Sequence, residues 1–349
     1  MTLMIPHSRP TIDKKDAELL SDVLLSGNIA QGEKVAEFER QMARFLGLKG
    51  CVATSSGTAA LHLSLIALGV GEGDQVLLPT YVCAALLNAV NYVRATPVLV
   101  DINPQSFNLD VHDLNAKLTP KSKAVILPHM FGLPADIDEI MALGIPVIED
   151  CAQAVGATFQ GRPVGSFGML AVFSFYATKI MTTGEGGMVA SHSEDLLEKV
   201  KDLREYDEKN DYRVRFNYKM SDLQAALGLS QLARLADFIT HRRKIASLHS
   251  AGLKRLPVDL PQESEDRRHI FFRYVIRTKK PLAAILRSFQ QRGVCCRRPV
   301  YKPLHRLLGL SGFHWAEEVA ESVLSLPIYP SLKDEETEKI VEAAQEILR

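Results

Sequence analysis

Short apolar runs alternate with amphipathic stretches through the first half of the chain. Runs at residues 50–53, 75–78, 97–100, 124–127 and 146–149 read as strands. Between them, apolar residues recurring every three to four positions predict helices over 58–68, 82–92, 111–117 and 136–143. Strand and helix in turn predict a mostly parallel sheet covered by helices on both faces. Two more strands are expected at 171–175 and 187–190. The order of strands is not legible in this pattern. A long helical stretch is expected over 221–248. It opens on Ser221-Asp222-Leu223-Gln224, where Ser and the Gln three residues on form a capping box. Beyond it lie a strand near 269–276 and helices near 282–292, 315–324 and 334–347. The expected division is a large domain over 1–245 and a smaller C-terminal α+β domain over 246–349.

Composition narrows the class. The chain has 349 residues, 46% of them hydrophobic, enough for a large core. Forty-one Lys and Arg balance 41 Asp and Glu, so no global field favours nucleic acid or an anionic membrane. Cys51, Cys83, Cys151, Cys295 and Cys296 fall into no metal-ligand spacing. They read as reduced thiols, and no metal is expected. No apolar run reaches bilayer length, and Met1 to Pro10 holds no apolar core of signal-peptide length. The expectation is a cytoplasmic protein with no membrane or nucleic-acid partner.

The candidate chemistry centres on Lys179. It follows Phe173-Ser174-Phe175-Tyr176-Ala177-Thr178 and precedes the turn Thr182-Thr183-Gly184-Glu185-Gly186-Gly187. Upstream, the strand Ile145-Pro146-Val147-Ile148 ends in Glu149-Asp150. A lysine amine can form a Schiff base with an aldehyde, and a carboxylate can pair with a protonated pyridine nitrogen. Pyridoxal phosphate chemistry needs both. Desolvation would lower the lysine's pKa and make it a usable base. Thr54-Ser55-Ser56-Gly57-Thr58 follows the first strand and opens a helix. By composition alone it reads first as an ordinary helix cap, and as a phosphate cradle only in company with the other site residues. Tyr81, at a strand end, can stack on a flat heterocycle or simply fill a loop. Gln153 and the small Ala152 follow Asp150 and could face a ring hydroxyl and a ring plane. The loop Arg297-Arg298-Pro299-Val300-Tyr301, with His305 just beyond, reads either as surface charge or as a clamp for a substrate anion.

These residues resemble the DegT/DnrJ/EryC1/StrS family of pyridoxal-phosphate-dependent sugar aminotransferases. The resemblance runs from Ile5-Pro6 and Arg9-Pro10 through Ser55-Ser56-Gly57-Thr58-Ala59-Ala60-Leu61-His62 and Glu149-Asp150-Cys151-Ala152-Gln153-Ala154. It continues through Phe173-Ser174-Phe175, Thr178-Lys179, Gly184-Glu185-Gly186-Gly187 and Asn217-Tyr218-Lys219-Met220-Ser221-Asp222 to Ser325-Leu326-Pro327. It implies the PLP-dependent transferase fold type I: a large α/β domain with a helix-covered, mostly parallel sheet, plus a smaller C-terminal domain. It implies pyridoxal 5'-phosphate held covalently as an aldimine on Lys179, with pyridoxamine phosphate as intermediate and Asp150 on the pyridine nitrogen. Gln153 would face the ring hydroxyl, and Tyr81 would stack opposite Ala152. Gly57, Thr58 and Ser174 would hold the phosphate. Asn217 would reach the phosphate of the other subunit's cofactor in a homodimer with shared sites. Arg298, Tyr301 and His305 are the candidate substrate residues.

The implied reaction moves an amino group from an amino acid, with L-glutamate expected, to a keto-sugar expected to be nucleotide-linked. Such a step belongs to amino-sugar, polysaccharide or secondary-metabolite biosynthesis. Two departures stand out: Lys219 where the family commonly has Arg, and Val300 where it usually has His. Alternatives are a sugar dehydratase on the same scaffold, whose family members carry His in place of the lysine, and a non-catalytic regulatory protein.

Overall fold

Strands that bury both faces read as near-continuous apolar runs, and the central sheet is built from such strands. Val76 to Leu78 and Ala124 to Leu127 are fully buried. The computed structural model describes residues 4–349; the part of the N-terminal reading that concerns Met1 to Leu3 lies outside the described residues. Helices α1 (Lys14–Ser26) and α2 (Glu33–Leu46) precede β1 (Gly50–Thr54). Then come α3 (Gly57–Ala67), β2 (Gln75–Pro79), α4 (Ala84–Tyr92), β3 (Thr96–Val100), α5 (Val111–Ala116), β4 (Ser122–Pro128), α6 (Ile137–Met141) and β5 (Val147–Asp150). A small hairpin, β6 (Thr158–Phe159) and β7 (Arg162–Pro163), leads to β8 (Leu170–Ser174), β9 (Gly187–Ser191) and α7 (Glu194–Arg204).

The seven-stranded sheet has the order β1-β9-β8-β5-β4-β2-β3. Neighbours from β8 through β3 pair in parallel, and β9 runs antiparallel to both β1 and β8. The pleat sends successive side chains to opposite faces. On one face Val52, Ala124, Ile126, Ile148, Val172 and Val189 join α3, α4 and α7 in one apolar cluster. On the other, Cys51, Ala53, Ala171, Phe173, Met188 and Ala190 pack with α2. Farther along that same face, Val125, Leu127 and Val147 pack under α5 and α6. The result is a helix–sheet–helix sandwich with fold type I character.

The later elements are α8 (Asp222–Ala233), α9 (Leu235–Leu253), β10 (Val258–Asp259), β11 (Arg267–Arg268), β12 (Tyr274–Thr278) and α10 (Leu282–Gln291). They end with α11 (Leu304–Leu308), α12 (His314–Ser322), β13 (Val323–Leu326) and α13 (Asp334–Leu348). Strands β10, β12 and β13 make a second, antiparallel sheet. One face of it, with Tyr274, Ile276, Leu324 and Leu326, forms a separate core with α9, α10 and α13. Val275 and Val323, on the other face, join the large core.

Three expectations need correction. The helical stretch over 221–248 is two helices, broken at Arg234 (φ −107°, ψ 5°), where its guanidinium meets Asp13 and Asp16. The strand expected near 269–276 begins later, at Tyr274. The helix expected over 315–324 stops at Ser322, and Val323 to Leu326 are claimed by pairing with β12. Among the described residues, no helix is long and apolar enough to cross a membrane.

Candidate active site

Parallel strands deliver their carboxyl ends to one edge of a sheet, and loops there build ligand sites. Here β1, β2, β5 and β8 bring Gly57, Tyr81, Asp150 and Ser174 to that edge. Antiparallel β9 brings its first residue, Gly187, opposite both Thr54 and Ser174.

The start of α3 is tightly seated. Ser56 caps it, its hydroxyl accepting the Ala59 N–H at 3.1 Å. A Cβ on Gly57 would lie 2.8 Å from Ser174 Cβ. A Cβ on Gly187 would lie 2.3 Å from the Ser56 carbonyl carbon and oxygen. Only glycine permits this backbone contact, which aims the first N–H groups of α3 at one point beside the Ser174 hydroxyl. Unpaired N–H groups and the helix dipole make such a point an anion site. Thr58 sits half-buried in the first turn.

The two acids ending β5 point to opposite faces. Glu149, fully buried, accepts N–H groups of Gly165, Phe167 and Gly168 at 2.6–2.7 Å and meets His129 Nε2 at 3.1 Å. His129 Nδ1 accepts the Ala135 N–H, so its proton sits on Nε2 and is donated to Glu149. Cys151 lies near both, its thiol pushed up by burial. Glu149 is thus a structural clasp with its hydrogen-bonding capacity met. Asp150 is buried, and one carboxylate oxygen accepts the Ala152 N–H at 2.9 Å. Burial raises its pKa, while that hydrogen bond, Lys179 and His129 pull it back.

Gln153 Oε1 accepts the Phe131 N–H at 3.1 Å, which leaves the amide NH₂ as the end free to meet a ligand. Phe131 has φ 58°, an uncommon backbone state for a bulky residue, held in place by this contact.

Lys179 lies in the turn after β8, its N–H bonded to Tyr176 O at 2.9 Å. Thr183 N–H and the Thr182 hydroxyl both return to Phe175 O, which pins the turn against the strand end. The side chain is half-buried, with the amine 5.4 Å above the Phe272 ring. Burial lowers its pKa, Arg273 adds to that, and Cys83 and Asp150 oppose it. The result is an amine within electrostatic reach of a buried carboxylate. Tyr81 is 1% exposed, and burial pushes its phenol up.

The remaining candidates are placed differently. Asn217 is exposed and makes no side-chain hydrogen bond among the described residues; the neighbouring Tyr218 carbonyl accepts the Ser55 N–H at 2.7 Å. His305 is fully buried, with Nδ1 2.7 Å from Thr80 Oγ1 and Nε2 2.6 Å from Glu317. Both ring nitrogens are engaged, and His305 ties the end of β2 to α12. Arg298 donates to the Ala320 carbonyl and meets Glu321 at 3.3 Å, so its fork is committed to α12. Tyr301 is 94% exposed.

Sequence reasoning missed a cationic group beside Lys179. Arg242, Arg273 and His7 line one cleft with Thr178 and Phe272. The available signal was Arg273 itself, a charge inside the apolar run Ile270-Phe271-Phe272-Arg273-Tyr274.

The set fits pyridoxal phosphate. The contact of Gly57 with Ser174 leaves an anion cradle that a larger side chain would fill. The buried Asp150 is held for a cationic partner, and the amine of Lys179 stands within its reach.

Comparison with known proteins follows the same line. The model of the DegT/DnrJ/EryC1/StrS aminotransferase family matches residues 10–345. The GDP-perosamine synthase of Caulobacter vibrioides is 36% identical over 99% of this chain and 98% of that one. The aminotransferase TlmJ from Streptoalloteichus hindustanus superposes with a TM-score of 0.94 at 31% identity, covering 99% of both chains. The PLP-form of Spr1654 from Streptococcus pneumoniae gives 0.93 at 27% identity, covering 99% of this chain and 100% of that one.

Proposed function

We propose a function from one premise: the chain belongs to the DegT/DnrJ/EryC1/StrS aminotransferase family. It is an aminotransferase that takes an amino group from an amino acid, L-glutamate first among the candidates, and gives it to a keto-sugar carried on a nucleotide. The observation that carries the reaction is the pair of Lys179 and Asp150 at the carboxyl edge of the sheet. The sugar-nucleotide class rests on the whole-length match to a GDP-perosamine synthase.

When bound, pyridoxal phosphate supplies an aldehyde that accepts an amine and a ring that delocalises the electrons of a broken C–H bond. Lys179 would hold it covalently through Nζ. Gly57, Thr58 and Ser174 would bind its phosphate through N–H and hydroxyl donors. Asp150 would face the ring nitrogen. Burial raises this acid, so a cationic partner is what keeps it ionised. The Gln153 amide would donate to the ring hydroxyl, with Tyr81 and Ala152 on either side of the ring. Nζ of Lys179 would take the proton from the donor's substrate carbon and return it during the reaction. Its lowered pKa leaves more of the amine unprotonated at neutral pH. Lys179 also disfavours the dehydratase reading, whose family members carry His there.

We further propose a homodimer in which Asn217 serves the neighbouring site. Supporting this, Tyr206, Tyr212 and Val214, just before Asn217, are 57%, 97% and 68% exposed in the single chain, as an interface segment would be.

The test is a pair of half-reactions followed by absorbance. L-glutamate should convert the cofactor to its amine form, and a nucleotide-linked keto-sugar should restore the aldehyde form. Borohydride reduction and mass spectrometry should then find the pyridoxyl group on Lys179. An adduct on another lysine, or no response to any amino acid, would refute the reading.

A further inference from the structure

Two bulky side chains meet in a backbone state that bulky residues avoid. Phe107 has φ 62° and Phe131 φ 58°, and their rings pack edge to face with centroids 5.4 Å apart. They sit in different loops, one after β3 and one after β4. Asn108 joins those loops. Its side chain is fully buried. Oδ1 accepts the Met130 N–H at 2.8 Å, and Nδ2 donates to the carbonyls of Leu133 and Pro134 at 3.2 and 3.3 Å. One amide therefore grips both ends of the turn Met130-Phe131-Gly132. An amide carries an acceptor and two donors in one plane. A carboxylate would lack the donors, and an alkyl group would release all three backbone groups.

The rest of the turn is also tied down. The Leu133 N–H closes it onto Met130 O at 3.0 Å, and the Ile270 N–H holds Gly132 O at 3.0 Å. The Phe131 N–H is aimed at Gln153, whose Oε1 accepts it at 3.1 Å. With both ends of the turn held, any change of φ at Phe131 would rotate the peptide plane that carries this N–H. A glutamine amide has two ends of nearly equal shape, so a contact at one end decides which end meets a ligand. Here the contact falls on Oε1.

We propose that Asn108 is a positioning residue for the cofactor: by holding Phe131 left-handed, it fixes the Gln153 amide with its NH₂ toward the ring hydroxyl. The proposal rests on the pyridoxal phosphate reading above. An ionised ring hydroxyl accepts hydrogen bonds and has none to donate. An NH₂ beside it favours the ionised form, and a carbonyl oxygen there opposes it. The Asn108 side chain bonds to the turn, so it acts through Phe131 and Gln153.

The test is the visible absorbance of the holoenzyme at one fixed pH. It is read as the ratio of the long-wavelength band, from the ionised ring hydroxyl, to the shorter-wavelength band, from the neutral one. Gln153→Leu removes the NH₂ and should lower this ratio about ten- to a hundred-fold. Asn108→Ala leaves the amide in place but free to flip, and should lower it about three- to thirty-fold with cofactor still bound. The double variant should fall no further than Gln153→Leu, because both changes act through one amide. A general loosening of the site would add to the effect of Gln153→Leu, and that result overturns the proposal. If Asn108→Ala does not fold, two substitutions at Phe131 replace it. Phe131→Val, β-branched and resistant to the left-handed state, should lower the ratio, while Phe131→Gly, which enters that state freely, should hold it within about two-fold of wild type. Equal ratios in these two variants overturn the proposal. Wild-type protein that takes up no pyridoxal phosphate refutes the cofactor reading and this proposal with it. A wild-type spectrum that Asn108→Ala leaves unchanged refutes the positioning role and nothing else.

Discussion

Glu149 and Asp150 are adjacent carboxylates at one strand end, yet their tasks are unrelated. Glu149 is saturated by three N–H groups and His129, whereas Asp150 accepts one N–H and faces Lys179's side. Asp150→Asn should keep the cofactor and slow the donor half-reaction about ten- to a hundred-fold, because an amide cannot hold a cationic ring nitrogen. Stopped-flow absorbance checks this, and a wild-type rate would remove Asp150 from the mechanism. Gly187 makes a second case. Any side chain there collides with the Ser56 carbonyl, so Gly187→Ala should push the start of α3 out of place. The expected result is a cofactor dissociation constant raised at least ten-fold, with the strand pairing, read by circular dichroism, intact. The sequence showed which residues could do chemistry, since Lys179, Asp150 and Gly57 carry their types and spacing openly. It did not show Arg242, Arg273 and His7 as one group. They are far apart in the chain and share no motif; only the packing of the N-terminal segment against β13 unites them.

Helices α2 and α8 illustrate how elements depend on each other. Gly32, at the N-cap of α2, has no side chain to cap with. The buried Asp222 instead accepts the N–H groups of Gly32 and Val35 at 2.8 and 3.0 Å. One residue in the first turn of α8 therefore caps a helix 190 positions earlier. Asp222→Ala should cost roughly 1–2 kcal/mol, read as a lower midpoint in urea, although Asp222 is outside the site. A midpoint within error of wild type would disprove the cap. Regular elements of the first half were legible from alternation alone because each strand is apolar on both faces. The break at Arg234 was not. No Gly or Pro marks it, and its partners Asp13 and Asp16 lie more than two hundred residues upstream. Likewise, Val323 to Leu326 leave the helical pattern because β12 offers them a sheet edge, a fact their own sequence does not carry.

At the scale of the molecule, the site is proposed to need two chains. An inactive Lys179→Ala chain mixed with an inactive Asn217→Asp chain should regain activity after subunit exchange. One site of the heterodimer then draws Lys179 and Asn217 from wild-type segments. Proven heterodimers without recovery would mean that each site is built from one chain. Stability is expected to respond to mild acid. His7, His249 and His269 are buried, which lowers them to about 3, about 4 and about 3. In the unfolded chain each titrates near 6.5. Below that pH the unfolded state binds protons that the folded state refuses, so stability falls as pH drops from about 6.5 toward 4. The loss is roughly 1.4 kcal/mol per pH unit for each histidine. Urea midpoints at pH 7.5 and 5.0 should show it. pH 5.0 lies above the range of carboxylates such as Glu317, held by Arg306 at about 2. Equal midpoints would show that these rings are not buried as neutral groups.

The pairing of Ile5 with Val294 and the 318-residue separation of His7 from Ser325 also set an order of events during synthesis. Every strand of the large sheet has left the ribosome once Ser191 has emerged. Ile5 shares a core with Ile340 and Leu348, so it waits for segments made more than three hundred residues after it. The half of the molecule that would grip the cofactor can therefore form while the chain is still growing. The arginine cleft, which needs His7 and Ser325 together, cannot close until Ser325 has been made.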